Sequence, residues 1–174
     1  VAIDSASTTP LRGFAGICCA LAHGVLRWKD VIRSEGLHLT IDALVGVSWR
    51  MKRKSRKQPW AALRRGLTNT DWPLRWLDVL ALDGLPGEDF VIFGISRDFK
   101  SYKPRVACYA DAVSAMRMLL LSFGMSAEAA VKFTLHSWRH LFPTAARQLR
   151  LPKHEQIEMG YWATGSRLPR AYDS

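Results

Sequence analysis

Between Leu11 and His23 the chain reads LRGFAGICCALAH, apolar except for Arg12 and the closing histidine, and predicts a helix that Gly24 stops. A short turn, VLRWKDVIRS, follows. The periodicity then changes. LHLTID and LVGVSWRMK carry β-branched and alternating residues and are joined at Asp42-Ala43, and QPWAAL is a third extended candidate. Together they predict a small antiparallel sheet. Helical spacing returns in DWPLRWLDVLAL, with Asp71 as cap and Pro73 in the first turn. A loop over residues 83–104 carries a short extended core segment, Phe90–Ile95. Residues 105–123 predict a long apolar helix, and three shorter helices continue to the end. No repeat or low-complexity tract interrupts the pattern. It is α+β: a mostly helical body holding a small antiparallel sheet near its N-terminal side.

Composition narrows the partners. The chain has 174 residues, 48% of them hydrophobic, enough for one folded domain over 1–174. A net charge of +10 points to a polyanion, most often nucleic acid. Cys18 and Cys19 are adjacent and Cys108 is isolated, so neither a disulfide framework nor a metal knuckle is legible, and a reducing compartment is expected. The apolar run Phe14–Leu26 is too short to span a bilayer and lacks the flanks of a signal peptide. An intracellular protein with no membrane partner is expected. The chain opens at Val1 and stops two residues past Tyr172, which reads as a piece of a longer protein.

Four stretches could carry chemistry. RMKRKSRK places Arg50, Lys52, Arg53, Lys54, Arg56 and Lys57 at the end of a strand pair, within a region free of acids from residue 43 to 70. It reads equally as a solvated hairpin tip, an import signal or a phosphate-backbone contact. HSWRH sets His136, Arg139 and His140 at i, i+3 and i+4, on one face of a helix. Ser137 stands where a zinc peptidase needs its glutamate, and no third ligand is evident, so an anion fits better than a metal. Arginine's planar fork matches phosphate oxygens, and imidazole adds a donor or takes a proton. Arg27 with Asp30 three residues later, and Tyr172 near the end, are weak signals taken singly.

Their order is not weak. Arg-x-x-Asp after a glycine-stopped helix, a basic hairpin, His-x-x-Arg-His, Gly-aromatic-Trp and then Tyr resembles the catalytic domain of the tyrosine recombinase (phage-integrase) family over roughly residues 11–174. The ending GYWATGSRLPRAYDS is most similar to recombinases of eukaryotic mobile elements, the DIRS and Crypton groups. The resemblance implies the fold of a DNA breaking-rejoining enzyme. It matches Arg27 to the family's first arginine, with Asp30 as the following acid. Lys52 is matched to the hairpin lysine, with Lys54 and Lys57 as substitutes, and His136 and Arg139 to the second motif. Tyr172 takes the place of the nucleophile. Where the family most often has Gly-His, this chain has Gly160-Tyr161-Trp162. Trp162 then fills the histidine's place, able to donate one hydrogen bond but not to shuttle a proton.

The implied activity is DNA strand cleavage and rejoining through a 3′-phosphotyrosine, for recombination or integration, without metal or cofactor and without a small-molecule substrate. Double-stranded DNA is the implied partner, contacted by Arg50, Arg53, Lys54, Arg56, Lys57 and His140. A homotetramer on two DNA sites is implied for the full protein, whose N-terminal core-binding domain and C-terminal tail lie outside this chain. The nucleus is the expected location in a eukaryote, and the cytoplasm or nucleoid otherwise. A type IB topoisomerase-like enzyme, a DNA-binding relic that no longer cleaves, and an unrelated basic helical domain are the competing readings.

Overall fold

Helix α2, Thr9–His23, is the element around which the others gather. Leu11, Phe14, Ile17, Ala20 and Leu21 are each 2% exposed or less. Each such large side chain contributes about 1.5–3 kcal/mol by leaving water, against roughly 0–1 for a surface ion pair. A helix apolar on nearly all sides belongs in the middle of a domain. In the computed structural model, which describes residues 2–6, 8–49, 57–65, 69–82 and 91–154, it occupies that place. Packed on it are α1 (Ala2–Ser5), α3 (Trp28–Ile32), α4 (Trp72–Leu82), α5 (Tyr109–Ser122), α7 (Leu141–Gln148) and a 3₁₀ helix, Ser137–His140. Trp76 of α4 lies flat on Gly16, where a methyl group would come within 2.0 Å of the indole ring, and its Nε1 donates to the Gly13 carbonyl at 2.8 Å.

Three antiparallel strands, in the order β1 (Ser34–Leu39), β2 (Ala43–Trp49) and β3 (Lys57–Leu63), form the expected sheet. Register pairs Ser34 with Ser48 and Ser48 with Gln58. Leu44, Trp60 and Ala62 face the core, and Trp60 donates from Nε1 to Ser34 Oγ at 2.7 Å. Asp71 caps α4 as expected: it accepts from Leu74 N–H, and the Arg64 guanidinium, 2.6 Å away, is the main reason its carboxyl lies below the usual range. The architecture is α+β, with a second small sheet of β4 (Phe93–Ile95) and β5 (Tyr102–Val106), and helix α6 at Ala127–Lys132. Among the described residues no helix is long and apolar enough to cross a membrane.

Gly24 ends α2 as expected, with φ −100°, and a Cβ there would meet Leu26 at 2.8 Å and the Ala20 carbonyl at 3.0 Å. The left-handed residue is Val25, at φ 50°. Three local expectations are corrected. The stretch VLRWKDVIRS is more than a turn, because it holds α3. The helix expected from residue 105 begins at Tyr109: Tyr102–Val106 pairs with Phe93–Ile95, and Cys108 Sγ with Asp111 forms the cap that starts α5. Finally, the helix expected through HSWRHLFPTAA is two pieces. Pro143 has no N–H to give the Arg139 carbonyl, so the chain before it tightens into the 3₁₀ form, and the proline falls in the first turn of α7, where a missing N–H costs nothing.

The cysteines form no disulfide. Burial pushes the Cys18 thiol up, and pushes the partly buried Cys19 up to about 12, which disfavours both thiolates. His23 closes α2: its ring stacks on Trp72 at 5.5 Å, leans on Phe142 at 5.6 Å, and donates from Nδ1 to the Cys19 carbonyl at 3.0 Å. Burial holds its pKa below the ordinary 6.5, against the opposing pull of that hydrogen bond. A depressed histidine pKa leaves the fold fully stable above about pH 6.5 and weakens it as pH falls towards the folded value. The thermal midpoint is therefore expected to drop between pH 7.5 and 5, and His23→Phe should flatten that drop. An unchanged slope in the variant would assign the pH dependence to other groups.

Candidate functional site

The turn that ends α2 delivers the first site residue. Leu26 N–H bonds the Leu21 carbonyl at 3.1 Å and Val25 N–H bonds that of Ala22 at 3.3 Å, closing a Schellman turn around the left-handed Val25. A buried β-branched residue in that region is strained, and the enclosing hydrogen bonds and packing hold it there. The next helix opens two residues later with Arg27 as its N-cap. Arg27 N–H donates to Asp30 Oδ2 at 3.0 Å. Arg-x-x-Asp therefore has a local meaning. The acid, three residues into the helix, caps the backbone of the arginine, whose side chain stays exposed.

Arg27 and Asp30 form one wall of a cleft of about 270 Å³. Ser48, Gln58 and Trp60 of the sheet form a second wall, and Arg139 closes it. Arg139 is half-buried in the 3₁₀ helix, which packs on α2. Its N–H bonds the His136 carbonyl at 3.1 Å. A second recess of about 300 Å³ shares Arg27 and Leu26 with the first and is lined by Trp28, Tyr109, Leu135 and His136. The structure thus brings Arg27 and Arg139 to one cleft and His136 to the recess beside it. The rings of His136 and His140 meet edge to face at 4.6 Å. Burial, then the charges of His136 and Arg139, push the His140 pKa below its ordinary value, so His140 is predominantly a neutral donor or acceptor at neutral pH.

The described ends of β2 and β3 meet the cleft. Ser48 and Gln58 line the cleft, and the next pair out is Trp49 with Lys57. Lys57 Nζ lies 2.5 Å from Glu35 and 4.2 Å over the Trp49 ring, whose Nε1 also donates to Glu35 at 2.8 Å. Its ammonium is thereby engaged by Glu35 of β1 and the Trp49 ring of β2. Arg50, Lys52, Arg53, Lys54 and Arg56 lie outside the described residues, as do Gly160, Tyr161, Trp162 and Tyr172. Among the described residues no three His, Cys, Asp or Glu side chains are grouped as metal ligands.

Sequence reasoning missed Ser48, Gln58, Trp60 and Val25. The legible signal was alternation: Leu44, Gly46 and Ser48 share a strand face, so a polar Ser48 had to point inward. No protein-family model and no curated protein matches the chain. Asp30→Ala removes the acceptor for Arg27 N–H and is expected to cost about 0.5–1 kcal/mol in urea unfolding, whereas Asp30→Asn, which keeps an acceptor, should cost less. Equal losses for both variants would show that the carboxylate's charge, rather than the cap, matters.

Proposed function

We propose that this protein cleaves and rejoins DNA strands at specific sites through a 3′-phosphotyrosine intermediate, acting as a tyrosine recombinase of a mobile element. The observation that carries the reading is the single cleft walled by both Arg27 and Arg139, which come from distant segments of the chain. Two arginines lining one cleft make it positive, and a bound anion is attracted by both. A phosphodiester supplies the charge and the oxygen geometry that match arginine's fork. The ordered motifs, the net charge of +10 and the place of Lys57 next to the cleft-lining Gln58 support the same reading.

In this reaction Tyr172 Oη attacks the scissile phosphorus while the bond to the 5′-oxygen breaks. Arg27 and Arg139 neutralise the non-bridging oxygens, most strongly in the transition state. Lys52 gives a proton to the departing 5′-oxygen, and His136 assists removal of the tyrosine proton. Trp162 donates one hydrogen bond to the phosphate. Attack by the 5′-hydroxyl of another strand then releases Tyr172 and joins the strands. A tetramer of this chain on two DNA sites carries out exchange, in the nucleus if the host is a eukaryote.

A nicked duplex that traps the covalent species tests the chemistry. The full-length protein is expected to form an adduct, Tyr172→Phe to abolish it with DNA affinity nearly unchanged, and Arg139→Ala to slow it roughly 10²–10³-fold while weakening binding. An adduct that survives Tyr172→Phe and maps to Tyr161 reassigns the nucleophile. Binding without any adduct supports the relic, and adducts without exchange between two labelled sites support a topoisomerase.

Salt dependence tests the hairpin. Each lost phosphate contact should flatten the slope of log affinity against log salt by about 0.9. Arg53→Ala and Arg56→Ala are expected to do this, and Lys57→Ala to do it less, because its ammonium is held by Glu35. Unchanged slopes for Arg53→Ala and Arg56→Ala would put the hairpin tip in solvent.

A further inference from the structure

The inner face of the sheet turns polar where it reaches the cleft. Inward positions run Leu44, Gly46, Ser48 along β2 and Ala62, Trp60, Gln58 along β3. Ser34, Ser48 and Gln58 stand in one cross-strand row. Ser34 is accounted for, since its hydroxyl accepts from Trp60 and donates to the Asp30 carbonyl at 2.7 Å. Gln58 is exposed at the cleft's mouth. Ser48 is not accounted for. It is 2% exposed, it lines the cleft, and its hydroxyl has no hydrogen-bond partner among the described residues.

A buried hydroxyl without a partner lowers stability, and alanine would fill the same strand position without that loss. A side chain retained against the stability of the fold is what a ligand contact requires. A ligand with an acceptor fits best, because the serine hydroxyl has a proton to donate and two of the charged side chains on the cleft, Arg27 and Arg139, are cationic and attract an anion. Asp30, the carboxylate on the cleft, is turned to the Arg27 amide.

We propose that Ser48 is a further phosphate ligand: its hydroxyl donates to a non-bridging oxygen of the DNA phosphate held between Arg27 and Arg139. This rests on the reading of the cleft as the phosphate site. Ser48 supplies a neutral, directional donor from the rigid sheet, opposite two cationic groups carried by the helical elements. It fixes the orientation of the phosphate, whereas the arginines supply most of the attraction.

Inorganic phosphate is the probe, with the thermal midpoint followed against phosphate concentration at an ionic strength matched by chloride. The wild-type protein is expected to be stabilised by phosphate, and Arg139→Ala to lose that response. Ser48→Ala should melt about 2–4 °C higher than wild type without phosphate, having shed an unpartnered hydroxyl. It should also need roughly tenfold more phosphate for the same gain, as expected for a lost hydrogen bond to a charged group. A wild-type phosphate response in Ser48→Ala, with the response lost in Arg139→Ala, overturns the role of Ser48 and leaves the phosphate cleft standing. A lower melting point for Ser48→Ala shows that the hydroxyl is partnered in the free protein and also overturns it. No response from the wild type, or an undiminished one in Arg139→Ala, removes the phosphate cleft and Ser48's role together.

Discussion

Enclosure of α2 is the constraint on which the rest depends. A helix whose only charged or titratable polar side chains are Arg12 and His23 has little polar surface to turn to water, so helices and sheet close around it. The fit is specific rather than merely apolar. Trp76 seats on Gly16 with no room for a side chain there, and its indole N–H takes the Gly13 carbonyl. These contacts set the register of α2, and the cleft is built out from its C-terminal end.

Two routes lead from that end. Along the chain, the Schellman turn at Val25 directs the backbone into α3, and the Asp30 cap orients the residue that carries the Arg27 guanidinium. Across space, the 3₁₀ helix packs on α2, and His23 stacks between Trp72 and Phe142, tying α4 and the start of α7 to the same end. Arg139 is thereby set against the sheet. Three local costs lie around this end: a β-branched residue in the left-handed region, a histidine whose pKa burial lowers and a buried hydroxyl without a partner among the described residues.

Secondary-structure type was legible wherever a segment's own periodicity decided it. The long apolar stretch of α2, the alternating strands of β2 and β3, and the Asp71 cap of α4 each follow from residues a few positions apart. Legibility failed where a distant partner or a single missing donor decided. Tyr102–Val106 contains Pro104 and reads as the approach to a helix, but Phe93–Ile95 recruits it as an edge strand. HSWRH has helical spacing, yet Pro143 beyond it withholds the hydrogen bond that would continue the helix.

By itself, then, the sequence determined the class of the fold, the excess of positive charge and the residue types able to hold a phosphate, because composition and short-range spacing are properties of neighbours in the chain. Only the tertiary structure decided that Arg27 and Arg139 share one cleft with His136 in the adjoining recess, and that Ser48 faces the same cleft. It also decided that a Cβ at Gly24 would meet Leu26, and that Lys57 is engaged by Glu35. Each of these depends on contacts between segments far apart in the chain, and such contacts exist only once the core around α2 has closed.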